Sequence, residues 1–126
     1  MKKRFFFMFI IIIALALMTP PGCKKANDIT GTWFIISTLL GETFTETYTF
    51  VGNKNSGEVL WENQALGTYS VFGDNVSFTL EYYDEDDDYT VEVYNGFFDE
   101  RDFMSGTFTY TVEGFPSATG TWFAER

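Results

Sequence analysis

The chain has 126 residues, 45% of them hydrophobic and 20% aromatic, with eighteen acidic and eight basic residues and a net charge of −10. That aromatic content excludes a disordered polar chain, and the acidic excess excludes nucleic-acid binding, because such a surface repels phosphate backbones. Histidine is absent and there is one cysteine, so Ser-His-Asp and Cys-His chemistry are excluded too.

In chain order the first feature is a leader. Lys2, Lys3 and Arg4 precede an apolar run from Phe5 to Met18, followed by Thr19-Pro20-Pro21-Gly22-Cys23. A basic start, a short apolar stretch and a small residue before the cut form an export signal. The run is too short to span a bilayer, which takes about 20 apolar residues. Gly22-Cys23 resembles the end of a bacterial lipoprotein signal, with Pro20 where Leu is usual. The resemblance implies a signal peptide over 1–22, a lipid-bearing (palmitate-type) Cys23, and a tether over 23–28. A lone cysteine cannot close an intramolecular disulfide, and that fits a sulfur committed to lipid. Lys24 and Lys25 after the cysteine resemble outer-membrane sorting, which places the domain in the cell envelope, in the periplasm or at the cell surface. Without the leader, five basic residues face eighteen acidic ones, a net charge of −13 that favours cationic or neutral partners, a basic protein among them.

From Ile29 the pattern alternates with period two between short Gly, Asn and Asp punctuations, which predicts an all-β domain over 29–126. The first strand is read over Thr32–Leu39. The second, Phe44–Val51, puts Phe44, Glu46, Tyr48 and Phe50 on one face. The third, Glu58–Glu62, bears Val59 and Trp61, and the fourth starts at Gly67 with Tyr69 and Val71. Gly73-Asp74-Asn75 marks a hairpin. The fifth strand presents Val76, Phe78, Leu80 and Tyr82, and the sixth Tyr89, Val91 and Val93. The last two carry Phe108, Tyr110 and Val112, then Trp122 and Ala124. Eight strands in a meander leave two exposed edges unless the first and last pair, so the expected architecture is an eight-stranded antiparallel up-and-down barrel. A two-sheet sandwich, the alternative, needs longer crossovers than the sequence provides. A barrel spanning the outer membrane needs longer strands with an unbroken apolar outer face.

Gly31-Thr32-Trp33 opens the first strand and Gly120-Thr121-Trp122 the last, with Gly67-Thr68-Tyr69 and Met104-Ser105-Gly106-Thr107 between. These motifs resemble the small bacterial lipocalin-like domains of exported proteins. The resemblance implies a closed barrel end where Arg126 packs over Trp33 as a cation–π pair. It implies neither a cofactor nor a metal.

Strands of about seven residues rise about 23 Å, so inward aromatics either fill such a barrel or leave a pocket at its mouth. For a pocket, the expected lining is Tyr48, Phe50, Trp61, Tyr69, Phe78 and Tyr110, with Glu46 able to orient a polar or cationic ligand. In the acidic run Asp84–Asp88, Asp84, Asp86 and Asp88 alternate as in an EF-hand loop. Tyr89 and Asn95 stand where that loop needs Gly and Glu, so the run reads as a solvated hairpin tip. Asp99-Glu100-Arg101-Asp102 reads as a turn with a local ion pair. The functional expectation is a lipid-anchored binding protein for a small apolar or amphipathic ligand. The alternative is a filled-core structural or interaction lipoprotein of the inhibitor or envelope-stress type. An enzyme would have to rest on a carboxylate pair, and spacing supports no such assignment.

Overall fold

The computed structural model describes residues 27–126. The leader, Cys23 and the first part of the tether lie outside the described residues. Eight strands follow one another: β1 Gly31–Leu39, β2 Glu42–Gly52, β3 Ser56–Trp61, β4 Gln64–Phe72, β5 Asn75–Tyr83, β6 Tyr89–Glu100, β7 Phe103–Val112 and β8 Ala118–Glu125. Each pairs antiparallel with its neighbour in sequence. The expected closure is present: β1 pairs with β8 from Phe34↔Glu125 to Thr38↔Thr121, so the sheet is a closed barrel with no free edge.

The strands run six to twelve residues, longer in places than the alternation suggests. Thr and Glu at the ends of β2 are compatible with a ladder, and nothing there breaks it. Glu62 and Asn63 both take positive φ, as a two-residue type I′ hairpin requires, so β4 begins at Gln64 and not at Gly67. Asp99 and Glu100 belong to β6, where a bulge follows Phe98, and the turn is only Arg101-Asp102. The ion pair there exists, Arg101 Nε lying 3.8 Å from Asp102 Oδ2.

One strand faces opposite to the reading from sequence. In β6 the buried positions are Thr90, Glu92, Tyr94 and, past the glycine, Phe98, while Val91 and Val93 are only partly buried. Valine in place fits β propensity but does not decide the face. What decides it is the register with β5 and β7, which sets Tyr94 opposite Phe78 and Phe108.

The interior is layered along the barrel axis. At the end where the chain enters, Ile29 is fully buried as a plug, and its carbonyl accepts a 2.7 Å hydrogen bond from Trp33 Nε1. Arg126 covers this end with its guanidinium carbon 4.4 Å from the Trp33 ring centroid, as the motif resemblance implied. Its Nη1 donates to Thr30 O at 2.9 Å and its Nε to Asp102 Oδ1 at 3.0 Å, tying the entry to β1 and the exit from β8 to the β6–β7 turn.

Above that end lies a belt of rings. Tyr94 is sandwiched between Phe78 (4.4 Å, interplanar angle 7°) and Phe108 (5.1 Å, 11°), while Phe50 and Trp122 meet Phe78 edge-on at 5.2 and 5.5 Å. Trp122 reaches its place because Gly96 and Gly106 stand opposite each other. A Cβ on Gly96 would sit 2.7 Å from Trp122 Cζ2. The indole Nε1 donates to Thr107 O and Asn95 O, at 3.0 and 3.2 Å, so burying this ring strands no donor.

Candidate functional site: the acidic, tyrosine-lined mouth

Four hairpin turns, β1–β2, β3–β4, β5–β6 and β7–β8, gather at the far end, and there the packing stops short of filling the barrel. A cavity of about 280 Å³ opens above the ring belt, lined by Ile35, Tyr48, Tyr82, Glu92, Tyr94, Phe108 and Tyr110 among others. It shares Glu46, Tyr48 and Tyr82 with an outer depression of about 750 Å³ bounded by Trp61, Gln64, Leu66, Glu81, Tyr83, Asp84 and Glu85. An inner chamber and an outer vestibule therefore form one opening, of the size that small-molecule sites occupy.

Glu92 is the centre of the inner chamber. It is 9% exposed, and each of its carboxylate oxygens accepts a phenol: Oε2 from Tyr82 Oη at 2.6 Å and Oε1 from Tyr94 Oη at 2.7 Å. Two short charge-assisted bonds offset part of the cost of burying the carboxylate. The phenols feel the same environment. Tyr48, Tyr82 and Tyr94 are pushed far above the ordinary tyrosine range, first by burial and then by the Glu92 charge; Tyr110 is raised for the same two reasons. All four stay protonated at any physiological pH, so the chamber wall offers hydroxyl groups and not phenolates. At the outer lip, Glu46 Oε2 accepts Trp61 Nε1 at 2.9 Å, a pair open to solvent.

Charge is distributed unevenly along the barrel. Strand directions place Lys54, Arg101 and Arg126, every basic residue among those described, at the closed end. Eleven of the eighteen acidic residues lie in the open half: Glu42, Glu46, Glu62, Glu81, the run Asp84–Asp88, Glu92 and Glu113. Neither the chamber nor the vestibule is lined by a basic side chain.

The six residues expected to line a pocket divide between the two halves. Tyr48 and Tyr110 line the chamber, and Trp61 with Tyr48 lines the vestibule. Phe50, Tyr69 and Phe78 sit lower, in the packed belt, at 1%, 3% and 1% exposure. Of the motif residues, Trp33 and Arg126 form the closed end, Gly31 starts β1 beside Arg126 with φ +115°, and Gly120 and Trp122 lie on β8 against Phe108 and Phe78. Glu92, Tyr82 and Tyr94 enter the site unexpectedly. Glu92 and Tyr94 follow from the inverted face of β6, and the sequence signal for them was the alternation Thr90, Glu92, Tyr94, each an inward position if β6 is shifted by one.

The β5–β6 loop brings carboxylate oxygens of Asp84, Asp86 and Asp88 within 4.8 Å of one another. Asp84 Oδ1 accepts the backbone N–H groups of Asp86 and Asp88 at 2.9 and 3.0 Å, so this side chain organises the turn. Asp87 completes it in the left-handed region at φ 60°.

No protein-family model matches the chain, and no curated protein matches it in sequence. Two solved structures do resemble it. The structure of EF1p2_mFAP2b bound to DFHBI superposes with a TM-score of 0.61 at 13% identity, over 78% of this chain and 93% of that one. A redesigned β barrel superposes with a TM-score of 0.54 at 16% identity, over 78% of this chain and 90% of that one. At such identities the likeness is one of fold: the chain is a closed, eight-stranded antiparallel β barrel.

Proposed function

We propose that this chain is an exported, lipid-anchored, lipocalin-like binding protein that holds one small amphipathic molecule in the mouth of its barrel. The observation that carries this reading is the unfilled upper half. A domain with enough aromatics to pack its whole interior instead leaves a continuous chamber and vestibule beside a buried carboxylate. Cavities of this kind, apolar-walled with a few converging polar groups, are where small ligands bind. EF1p2_mFAP2b holds DFHBI on the same architecture, so a barrel of this size has room for a small molecule.

The topology suits an anchor. Asn27 Nδ2 donates to Asp74 Oδ1 in the β4–β5 turn, so the tether leaves from the closed end. Lipid at Cys23 would then set the basic end, together with Lys24 and Lys25, toward the headgroups and point the acidic mouth away from them. The binding reading is favoured over catalysis because both carboxylates that line the chamber are already engaged, Glu92 by two protonated phenols and Glu46 by the Trp61 indole N–H.

Two measurements test this. Metabolic labelling with an alkyne palmitate is expected to mark the full chain and to fail with Cys23→Ala; an unlabelled wild type would refute the anchor. Mass spectrometry of organic extracts is expected to find a defined small molecule with the purified wild type and not with Tyr48→Ala. Clean extracts, with no uptake of added amphiphiles, would refute the carrier.

A further inference from the structure

The barrel mouth carries a charge that no cation among the described residues answers. Glu92 is 9% exposed and its two oxygens accept only uncharged phenols. The salt bridges formed among the described residues join Arg101 and Arg126 to Asp102, at the opposite end. Glu46 adds a second carboxylate at the lip, spent on an indole N–H. A carboxylate has about four acceptor sites, so each oxygen of Glu92 retains capacity after its one bond. Burying a charge without a counter-ion is costly, and apolar side chains of the same size would have filled this space more favourably. Tyr48, Tyr82 and Tyr110 border the same chamber, and an enclosed negative charge beside aromatic rings is the setting in which an ammonium gains both Coulomb and cation–π energy.

Resting on the binding reading above, we infer that the ligand is a cationic amphiphile, an amine with an apolar body. Its ammonium group sits between Glu92 and Glu46, and its apolar part lies against Tyr48, Tyr110 and Phe108. Glu81 and the Asp84–Asp88 run around the vestibule add a field that draws cations toward the opening. Anions are excluded by the same field, and neutral molecules leave the charge of Glu92 uncompensated.

The test is isothermal titration of the full chain in phosphatidylcholine nanodiscs, with empty nanodiscs as the blank. Three probes share one apolar body: phenylbutylamine, phenylbutanol and phenylbutanoate. The amine is expected to bind at least about tenfold more tightly than the alcohol, and the carboxylate most weakly. The preference should shrink as salt is raised. Glu92→Gln should remove most of the amine's advantage over the alcohol, leaving only the small preference that Glu46 supplies. Glu92 is buried, so Glu46→Gln at the exposed lip repeats the test without disturbing the interior, and there the amine should lose about threefold or more. Alcohol binding as tight as amine binding overturns the inference and leaves the carrier standing. An amine preference undiminished in Glu46→Gln and in high salt overturns it as well. Failure of all three probes at about 10 mM overturns the carrier reading and this inference with it.

Discussion

The two ends of the barrel are built from similar residues to opposite effect. At the closed end Trp33 donates to a buried carbonyl, a plug residue fills the bore, and Arg126 caps the ring with its charge paired to Asp102. At the open end Trp61 donates to a solvent-facing carboxylate, and among the described residues nothing plugs the bore and no cation pairs with Glu92. Hydrogen bonds are satisfied at both ends; the difference lies in charge and filling, since the closed end pairs its cation and fills its bore while the open end sets carboxylates beside a cavity.

The comparison breaks most severely in the belt between the ends. Trp122→Ala removes the ring that fills the space above Gly96 and Gly106 and contacts both Phe78 and Tyr94. A loss of roughly 3–5 kcal/mol is expected, from cavity and transfer terms together, read as a lower midpoint in equilibrium denaturation. If the belt were not the common foundation of both halves, the cost would be far smaller.

The next effect belongs to the closed half and depends on pH. Glu125 lies on the outer face of β8, opposite Phe34 and Phe103 in the register and 3% exposed, and burial pushes its carboxyl up to about 7. The folded state thus holds this proton more tightly than the unfolded one. Its contribution to stability is full below about pH 4.5, falls as pH rises, and is lost above about 7. Glu125→Gln should remove this pH dependence and raise stability at pH 8 by an amount of order 2 kcal/mol. Parallel urea titrations at pH 5 and pH 8 check this, and equal pH slopes in the two proteins would refute it.

Arg126→Met keeps much of the apolar stem but removes the guanidinium from Trp33, Thr30 and Asp102. The expected loss is about 1 kcal/mol, combining a partly exposed cation–π contact with an exposed ion pair. Thermal melts should show a small drop that high salt narrows, since salt already screens part of what the substitution removes.

Much of the fold is legible in the sequence, and the exception is instructive. Period-two alternation with Gly, Asn and Asp turns yields eight strands, and six carry their apolar residues inward as the pattern reads, while β1 has apolar residues on both faces and its alternation assigns neither. Trp33 and Arg126, brought together from the two chain ends, were legible through short motifs. The sixth strand misleads because Val91 and Val93 outrank Thr90 and Glu92 on any hydrophobicity scale, yet the latter pair faces inward. A strand whose inward face is polar is a local inconsistency, and it is there because that face lines the cavity. The division of Tyr48, Trp61 and Tyr110 from Phe50, Tyr69 and Phe78 was not legible either. Height along the barrel axis depends on stagger between strands, which hairpin lengths and bulges set and alternation does not.

The smallest expected effect sharpens the contrast best, because it applies one substitution type to both ends. Trp61→Phe keeps an aromatic ring in the vestibule and deletes an exposed hydrogen bond to Glu46, so its stability cost should stay below about 1 kcal/mol. Trp33→Phe deletes a buried donor, leaves the Ile29 carbonyl unanswered and weakens the Arg126 cap, and should cost about 2 kcal/mol. The two denaturation midpoints measure how far the ends differ as structure. Binding should reverse the order: Trp61→Phe frees the Glu46 carboxylate and alters amine affinity, whereas Trp33→Phe, at the far end of the bore, leaves it unchanged. A Trp33→Phe variant that shifted amine affinity as much as Trp61→Phe would mean that the two halves are coupled through the ring belt, and that the open half is not independent of the closed one.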